Sequence, residues 1–239
     1  MRRRYALLNV DTANIMGYVD AVNNIPGDYL HMAKASPPAV SKKSYHHGDL
    51  SNACVKAALG LVRELGLDGL TLRSVADKIG VSRTAPYRHF SSKRDLLAAS
   101  AASGFKQLEH EVRAASDAAG QDSIQRIHAG CRAYAAFGAD NPSLYRLMFG
   151  SDFGEEEYPE LSDAGSATFA VLVESLQRGQ ADGRVRRENA QEQAVTIWSA
   201  IHGVVNLYID SKPSRVLDTS AVQDNVRRVL TTIINGVGA

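Results

Sequence analysis

The chain has 239 residues, a formal net charge of +1, 44% hydrophobic and 22% charged residues, and two cysteines. Its length suits one large domain or two small ones, with a core that needs no disulfide or metal. No run reaches the roughly 18 uninterrupted apolar residues of a membrane span, and no Cys/His spacing fits a zinc site. Met1-Arg2-Arg3-Arg4 is not followed by the apolar stretch of a secretory signal. Cys54 and Cys131 each sit in an apolar helical pattern, where a free thiol packs as a small hydrophobe. A reducing, cytoplasmic compartment is expected.

The near-neutral total hides an uneven distribution. Residues 42–100 hold ten Lys/Arg against five Asp/Glu, while residues 101–239 hold thirteen against eighteen. Residues 1–41 hold four against three. A basic module followed by an acidic body is the pattern of a nucleic-acid reader joined to a part that does not touch the nucleic acid.

In chain order, residues 1–44 show little sustained periodicity, and Ala35–Lys43 has the Ser, Pro, Ala and Lys content of a linker. A flexible extension is expected there, with Met32 as an alternative start. Helical periodicity dominates from Asp49 onward, and strand signals are scarce. The first helix is expected over Asp49–Leu65, with Leu50, Cys54, Ala57, Leu61 and Leu65 on one face and Gly66 as its stop. Thr71 is placed to cap a second helix, Leu72–Ile79, which Gly80 ends. Ser82 is placed to cap a third, extending to Phe90, and Ser91-Ser92 precede a fourth that starts at Lys93. Further helices are expected near Gln121–Ala139, Pro142–Phe149, Ser166–Asp182, Ala190–Asp210 and Thr219–Gly236. The fold class is therefore all-α.

The helix pair 72–90 carries the chemistry. A tight crossing needs a small residue where backbones approach, which Ala76 supplies, and a turn residue tolerant of positive φ, which Gly80 supplies. Val75, Ile79 and Val81 form the apolar underside, so Arg83, Thr84, Tyr87 and Arg88 face outward. Ser82 and Thr84, at the start of the second helix of the pair, suit phosphate or base edges. Arg83 is the candidate reader of guanine, because its fork matches O6 and N7. Tyr87, His89, Lys93 and Arg73 are candidates for flanking phosphates, contacts that position the module without specifying sequence. A plain helical hairpin with a solvated basic face is the competing reading.

Residues 46–100 resemble the N-terminal domain of TetR-family regulators. The resemblance is carried by Thr71, Arg73, Ala76, Gly80, Val81 and Ser82, then by Tyr87, His89, Phe90, Lys93 and Leu96. It implies a three-helix helix-turn-helix domain over 45–100 in which Tyr87 and His89 hold phosphates and Lys93 assists at the start of the fourth helix. One departure is Pro86, where many members carry Leu; as the fourth residue of the expected helix it forfeits about one backbone hydrogen bond.

Residues 101–239 are expected to form a helical bundle for ligand binding and dimerisation. Trp198, His202 and Gly203 are similar to the Trp-His-Gly motif of one C-terminal subclass, as is the stretch Asn141–Phe149. Trp198 and His202 share a helical face, and Gly203 allows another helix to approach. Tyr134, Phe137, Tyr145, Met148, Phe149 and Phe169 are candidates to line a cavity with them, although such residues at helical spacing commonly form plain core. Ala194, Ile197, Ile201, Val204, Val205 and Tyr208, with Val222, Val226, Val229, Leu230 and Ile233, mark two C-terminal helices that the family resemblance assigns to a homodimer interface. Gly150–Glu160 is read as a solvated loop, with a cover over the cavity as the alternative.

The function implied is a sequence-specific DNA-binding regulator, a repressor by family default, reading a near-palindromic operator in double-stranded DNA and released by a small-molecule effector. No cofactor, metal or membrane partner is expected. Catalysis finds no support: His110-Glu111 lacks the second His, with Ala114 in its place, and Asp152-Phe153-Gly154 stands without the other kinase motifs. The alternative is a helical adaptor that binds protein and never touches DNA.

Overall fold

A computed structural model describes residues 47–150, 153, 158–210 and 222–237, all within one unit spanning Ser44–Ala239. The expectations for residues 1–44, Met32 and Thr219 lie outside the described residues. Eight α-helices are described: α1 His47–Leu65, α2 Leu72–Ile79, α3 Lys93–Ala118, α4 Ser123–Asp140, α5 Pro142–Gly150, α6 Pro159–Ala181, α7 Ala190–Asp210 and α8 Val222–Val237.

The helix boundaries follow from local chemistry. Thr71 caps α2 through a capping box, its hydroxyl accepting the Ser74 N–H at 2.9 Å while the Ser74 hydroxyl oxygen accepts the Thr71 N–H at 2.9 Å. Ser92 caps α3 in the same way with Asp95. Each cap is worth about 1 kcal/mol, because it satisfies amides that have no partner inside the helix. Gly80 ends α2 at φ 72°. With the chain turned there, the Val81 N–H reaches back to the Ala76 carbonyl at 3.1 Å.

The N-terminal head packs on a core of Cys54, Ala58, Leu61, Val62, Leu70, Leu72, Val75, Phe90 and Leu96. Leu65, expected on the buried face of α1, is 59% exposed. Gly66, at φ 73°, turns the chain directly after it, and Leu65 lies against the bare backbone of Gly69, where an added Cβ would come 2.6 Å from Leu65 Cβ. Ala58 and Val62 take that part of the face instead.

One expectation on an element boundary changes. Pro159 opens α6 seven residues before the expected Ser166, because proline's fixed φ suits a first helical turn. Part of Gly150–Glu160 is thus helix, and most of the remainder lies outside the described residues. The boundary drawn at residue 100 falls inside α3, a single helix of 26 residues. α3 contacts α1 in the head and then runs along α4 and α6 in the body, while α4, α7 and α8 pack together. Head and body share that helix as a common rod.

The body closes around short side chains. A Cβ at Gly104 of α3 would lie 2.7 Å from Met148 Sδ and 3.0 Å from Leu144 Cδ1, so its absence lets α5 settle onto α3. Both cysteines are free and buried, and burial pushes the Cys131 thiol up to about 12.

Candidate nucleic-acid interface and aromatic cluster

The segment after Gly80 differs from expectation. Instead of an α-helix from Ser82 to Phe90, the chain makes tight turns ending in a 3-10 helix, Pro86–Arg88. The Ala85 N–H donates to the Ser82 carbonyl at 2.9 Å and the His89 N–H to the Pro86 carbonyl at 3.0 Å. Pro86 explains the form. It has no N–H for the Ser82 carbonyl, and its ring crowds the carbonyl four residues back, so the i→i+3 bond is the one available. The Pro86 ring is buried under the head, which fixes the tilt of the turn.

That turn holds an exposed, basic and aromatic surface. Ser82, Arg83, Thr84, Tyr87 and Arg88 are all exposed, Tyr87 at 58%, and Arg73 is exposed on α2. Ser82 Oγ and Thr84 Oγ1 lie 3.3 Å apart. Arg83 Nε stands 3.7 Å from Asp77 Oδ1, a long and solvated pair of little energetic weight. Its guanidinium keeps its other donors in solvent. His89 is half-buried beneath the turn. Lys93 has a different neighbourhood, for its ammonium donates to the Leu67 carbonyl at 2.8 Å and ties the start of α3 to the α1–α2 loop. Lys78 is paired with Glu64 at 2.7 Å.

In the body, Tyr134 from α4, Tyr145 and Phe149 from α5, Phe169 from α6, and Trp198 and His202 from α7 come together. The Trp198 Nε1–H donates to the Tyr134 oxygen at 3.1 Å. The two tyrosine oxygens are 2.8 Å apart, and His202 Nδ1 lies 3.0 Å from Tyr134 and 2.5 Å from Tyr145. Phe149 sits 4.7 Å from the rings of both Tyr145 and His202, and Phe169 meets Trp198 edge-on at 6.3 Å. Burial holds His202 down to about 4 and raises both tyrosines above their ordinary range, so all three are neutral near pH 7.

Not every candidate joins this cluster. Phe137 is buried in the core and makes no ring contact among the described residues. Met148 is buried facing Gly104. Phe105 of α3 was not singled out from the sequence, yet its ring meets Phe149 edge-on at 5.0 Å. The run of small residues Ala101 to Gly104 before it marks a close helix approach but not the ring that Phe105 meets. Another missed group links head and body: Arg94 lies 5.8 Å over the Phe153 ring, Phe153 meets Tyr158 edge-on, and Tyr158 reaches Asp95.

Two family models match the chain. Residues 55–100 match "Bacterial regulatory proteins, tetR family", and residues 127–233 match "Tetracyclin repressor-like, C-terminal domain". The chain belongs to the TetR family. Among curated relatives, this TetR-family chain is 30% identical over 124 residues to an HTH-type transcriptional regulator of Mycobacterium bovis, covering 51% of this chain and 53% of the relative. It is 50% identical over 46 residues to the class A tetracycline repressor of transposon 1721 from Escherichia coli, covering 19% and 21% of the two chains. The chain thus spans about half the length of the first relative and about a fifth of the second. Among solved structures, a protein of unknown function from Rhodococcus sp. RHA1 superposes with TM-score 0.72 at 29% identity, over 83% of this chain and 100% of the other. A TetR-family regulator from Mesorhizobium loti superposes with TM-score 0.62 at 16% identity, over 79% and 96%. That second likeness bears on the fold alone.

Proposed function

We propose that this TetR-family regulator binds double-stranded DNA as a homodimer, reads a near-palindromic operator through the turn Ser82–Arg88, and releases it when a small molecule enters the body. The observation that carries the reading is the surface of that turn. Capped α2 and the Gly80 bend fix its backbone, and Arg83, Thr84, Tyr87 and Arg88 stand exposed along it with Arg73 beside them. Two arginines flanking an exposed tyrosine suit phosphates and a base edge better than they suit solvent alone.

The dimer reading rests on α7 and α8. Ala200, Gly203 and Leu207 share a face of α7 turned away from the buried Ala194, Ile197, Ile201 and Val205 stripe. Leu207 is 56% exposed, and a Cβ added at Gly203 would meet nothing within 4 Å among the described residues. On α8, Val226, Leu230 and Ile234 are buried while Val222, Val229 and Ile233 are half-covered. A second copy laid on these faces would cover them, and its symmetry would set the two reading turns about 34 Å apart. The similarity of Trp198, His202 and Gly203 to the Trp-His-Gly subclass accords with this reading.

The release step is a population shift. The effector acts only by preferring one spacing of the two heads over the other, and α3, shared by head and body, is the element able to carry that preference.

Selection from random duplex DNA tests the proposal, with an Arg83→Ala/Tyr87→Ala double variant as control. Wild-type protein is expected to enrich two half-sites in inverted orientation, about one helical turn apart, with binding that falls steeply as salt rises. The double variant is expected to enrich none. Equal enrichment by both proteins would move DNA reading off the assigned turn, and no enrichment by wild-type protein would favour the protein-binding adaptor.

A further inference from the structure

The hydrogen bonds of the aromatic cluster dictate where one proton sits. Trp198 Nε1–H, Tyr134 O–H and Tyr145 O–H supply three protons, and the two hydroxyl oxygens and His202 Nδ1 are the atoms that can accept them. If Nδ1 accepts, each proton has its own acceptor: Trp198 donates to Tyr134, one tyrosine donates to the other, and the second donates to His202. If Nδ1 carried a proton, four protons would compete for two oxygens, and one tyrosine O–H would have to point at an oxygen already donating along the same line. A buried hydroxyl without an acceptor costs about 1–3 kcal/mol. Nδ1 therefore accepts, and the proton of the neutral ring is on Nε2.

Nε2 has no hydrogen-bond partner among the described residues, and the His202 side chain is half-buried rather than enclosed. Around it, Phe149, Trp198 and His202 are each half-buried, with His202 4.7 Å from Phe149 and 5.0 Å from Trp198. Behind them Tyr134 and Tyr145 are buried and already engaged. The result is three contiguous aromatic surfaces with one fixed N–H donor among them.

Among the described residues, no Lys, Arg, Asp or Glu side chain is hydrogen-bonded to Tyr134, Tyr145 or His202, and burial is what lowers His202. An anion placed here would leave water without a countercharge. A cation would gain from the ring faces but would meet the positive end of the Nε2–H dipole.

We infer that the effector is an uncharged aromatic molecule bearing a hydrogen-bond acceptor, its ring lying on Phe149 and Trp198 and its acceptor meeting His202 Nε2–H. This deepens the proposed regulator by naming the chemistry of its effector and rests on that reading.

Trp198 is the chain's single tryptophan, so its emission reports on this site directly. Four small probes share one ring: acetophenone, neutral with a carbonyl acceptor; ethylbenzene, neutral without one; benzoate, an anion; and phenyltrimethylammonium, a cation. Each is titrated into the full chain. Acetophenone is expected to shift Trp198 emission and to bind about tenfold more tightly than the other three, the gap over ethylbenzene being one hydrogen bond. In His202→Phe the gap between acetophenone and ethylbenzene should vanish, while His202→Asn, which keeps an N–H donor, should retain part of it. The comparison within wild type stands if neither variant folds.

Benzoate or the ammonium binding as tightly as acetophenone overturns the inference, and so does silence of Trp198 toward all four probes. Operator binding is measured on the same preparation without probe. A protein that reads DNA but ignores acetophenone refutes the effector chemistry alone, and one that binds acetophenone but no DNA refutes the regulator.

Discussion

The Tyr158 hydroxyl, at the entrance to α6, donates to Asp95 Oδ1 at 3.0 Å, and Asp95 is the residue that closes the capping box of α3 with Ser92. The body thus fastens onto the first turn of the helix that follows the reading turn. Hydrogen bonds from Ser92 and then from Tyr158 hold the Asp95 carboxyl below its usual range. A depressed carboxyl stabilises the fold above its unfolded value, near 3.9, and that contribution is lost as pH falls through the folded value.

Tyr158→Phe removes one of those donors and leaves the ring. At pH 7 the variant is expected to lose up to about 1 kcal/mol, a discounted figure because the carboxylate remains near solvent. The deficit should narrow as the pH is lowered through the Asp95 titration. Urea midpoints at pH 7 and pH 3, with NMR titration of the Asp95 carboxyl, check both parts. An unchanged carboxyl titration would mean that the Tyr158 contact has no hold on the cap.

His202 gives a second pH signature of the opposite chemical type. Its neutral form is the one the tyrosines require, and burial takes it from 6.5 down to about 4. Above pH 6.5 neither folded nor unfolded chain carries the proton, so nothing is lost. Between pH 6.5 and about 4 the unfolded chain takes up a proton that the folded chain refuses, and stability falls by roughly 3 kcal/mol at most. His202→Gln has no proton to take up and should flatten that part of the curve. Thermal melts at half-unit steps of pH, with both proteins in the same buffers, decide it; parallel curves would mean that His202 is not buried as described.

Much of this was legible in the residues. Thr71 and Ser92 each precede an apolar-periodic run, and Gly80 stands where α2 must turn, so backbone chemistry marked those ends of α2 and α3 directly. Trp198 and His202 were legible as a pair because four residues bring side chains to one face of a helix. Phe105 was not, because its place beside Phe149 depends on how closely α5 approaches α3, a distance set by Gly104 and by nothing local. The Tyr158–Asp95 bond spans 63 residues of sequence and has no periodic trace. The bond from Lys93 to the Leu67 carbonyl was not legible either, since the two are 26 residues apart.

Pro86 gives a prediction about the reading turn itself. Pro86→Ala restores an amide that the Ser82 carbonyl can accept, and removes the ring that crowds it. The turn is expected to convert to one continuous α-helix from about Arg83 to His89, visible as helical Cα shifts and slowed exchange of the new residue-86 amide. Its buried position survives in a smaller side chain, at a packing cost of about 1–2 kcal/mol. Unchanged 3-10 shifts would show that tertiary packing sets the form and that the proline merely tolerates it.

Lys93 separates a structural from an electrostatic role. Its ammonium donates to the Leu67 carbonyl at 2.8 Å, and that bond ties the start of α3 to the loop before α2. Lys93→Met keeps most of the aliphatic stem and removes the donor, so a loss of about 1.5–3 kcal/mol in stability is expected, typical of a hydrogen bond with one charged partner. If the ammonium serves only that carbonyl, the slope of log K against log salt should match that of wild type even where affinity drops, because no phosphate contact has been lost. A slope lowered by about one unit, with stability unchanged, would instead put Lys93 on the DNA. Both quantities come from one set of anisotropy titrations and one set of melts, and Arg88→Ala, exposed on the reading turn, supplies the control in which the slope should fall while stability stays.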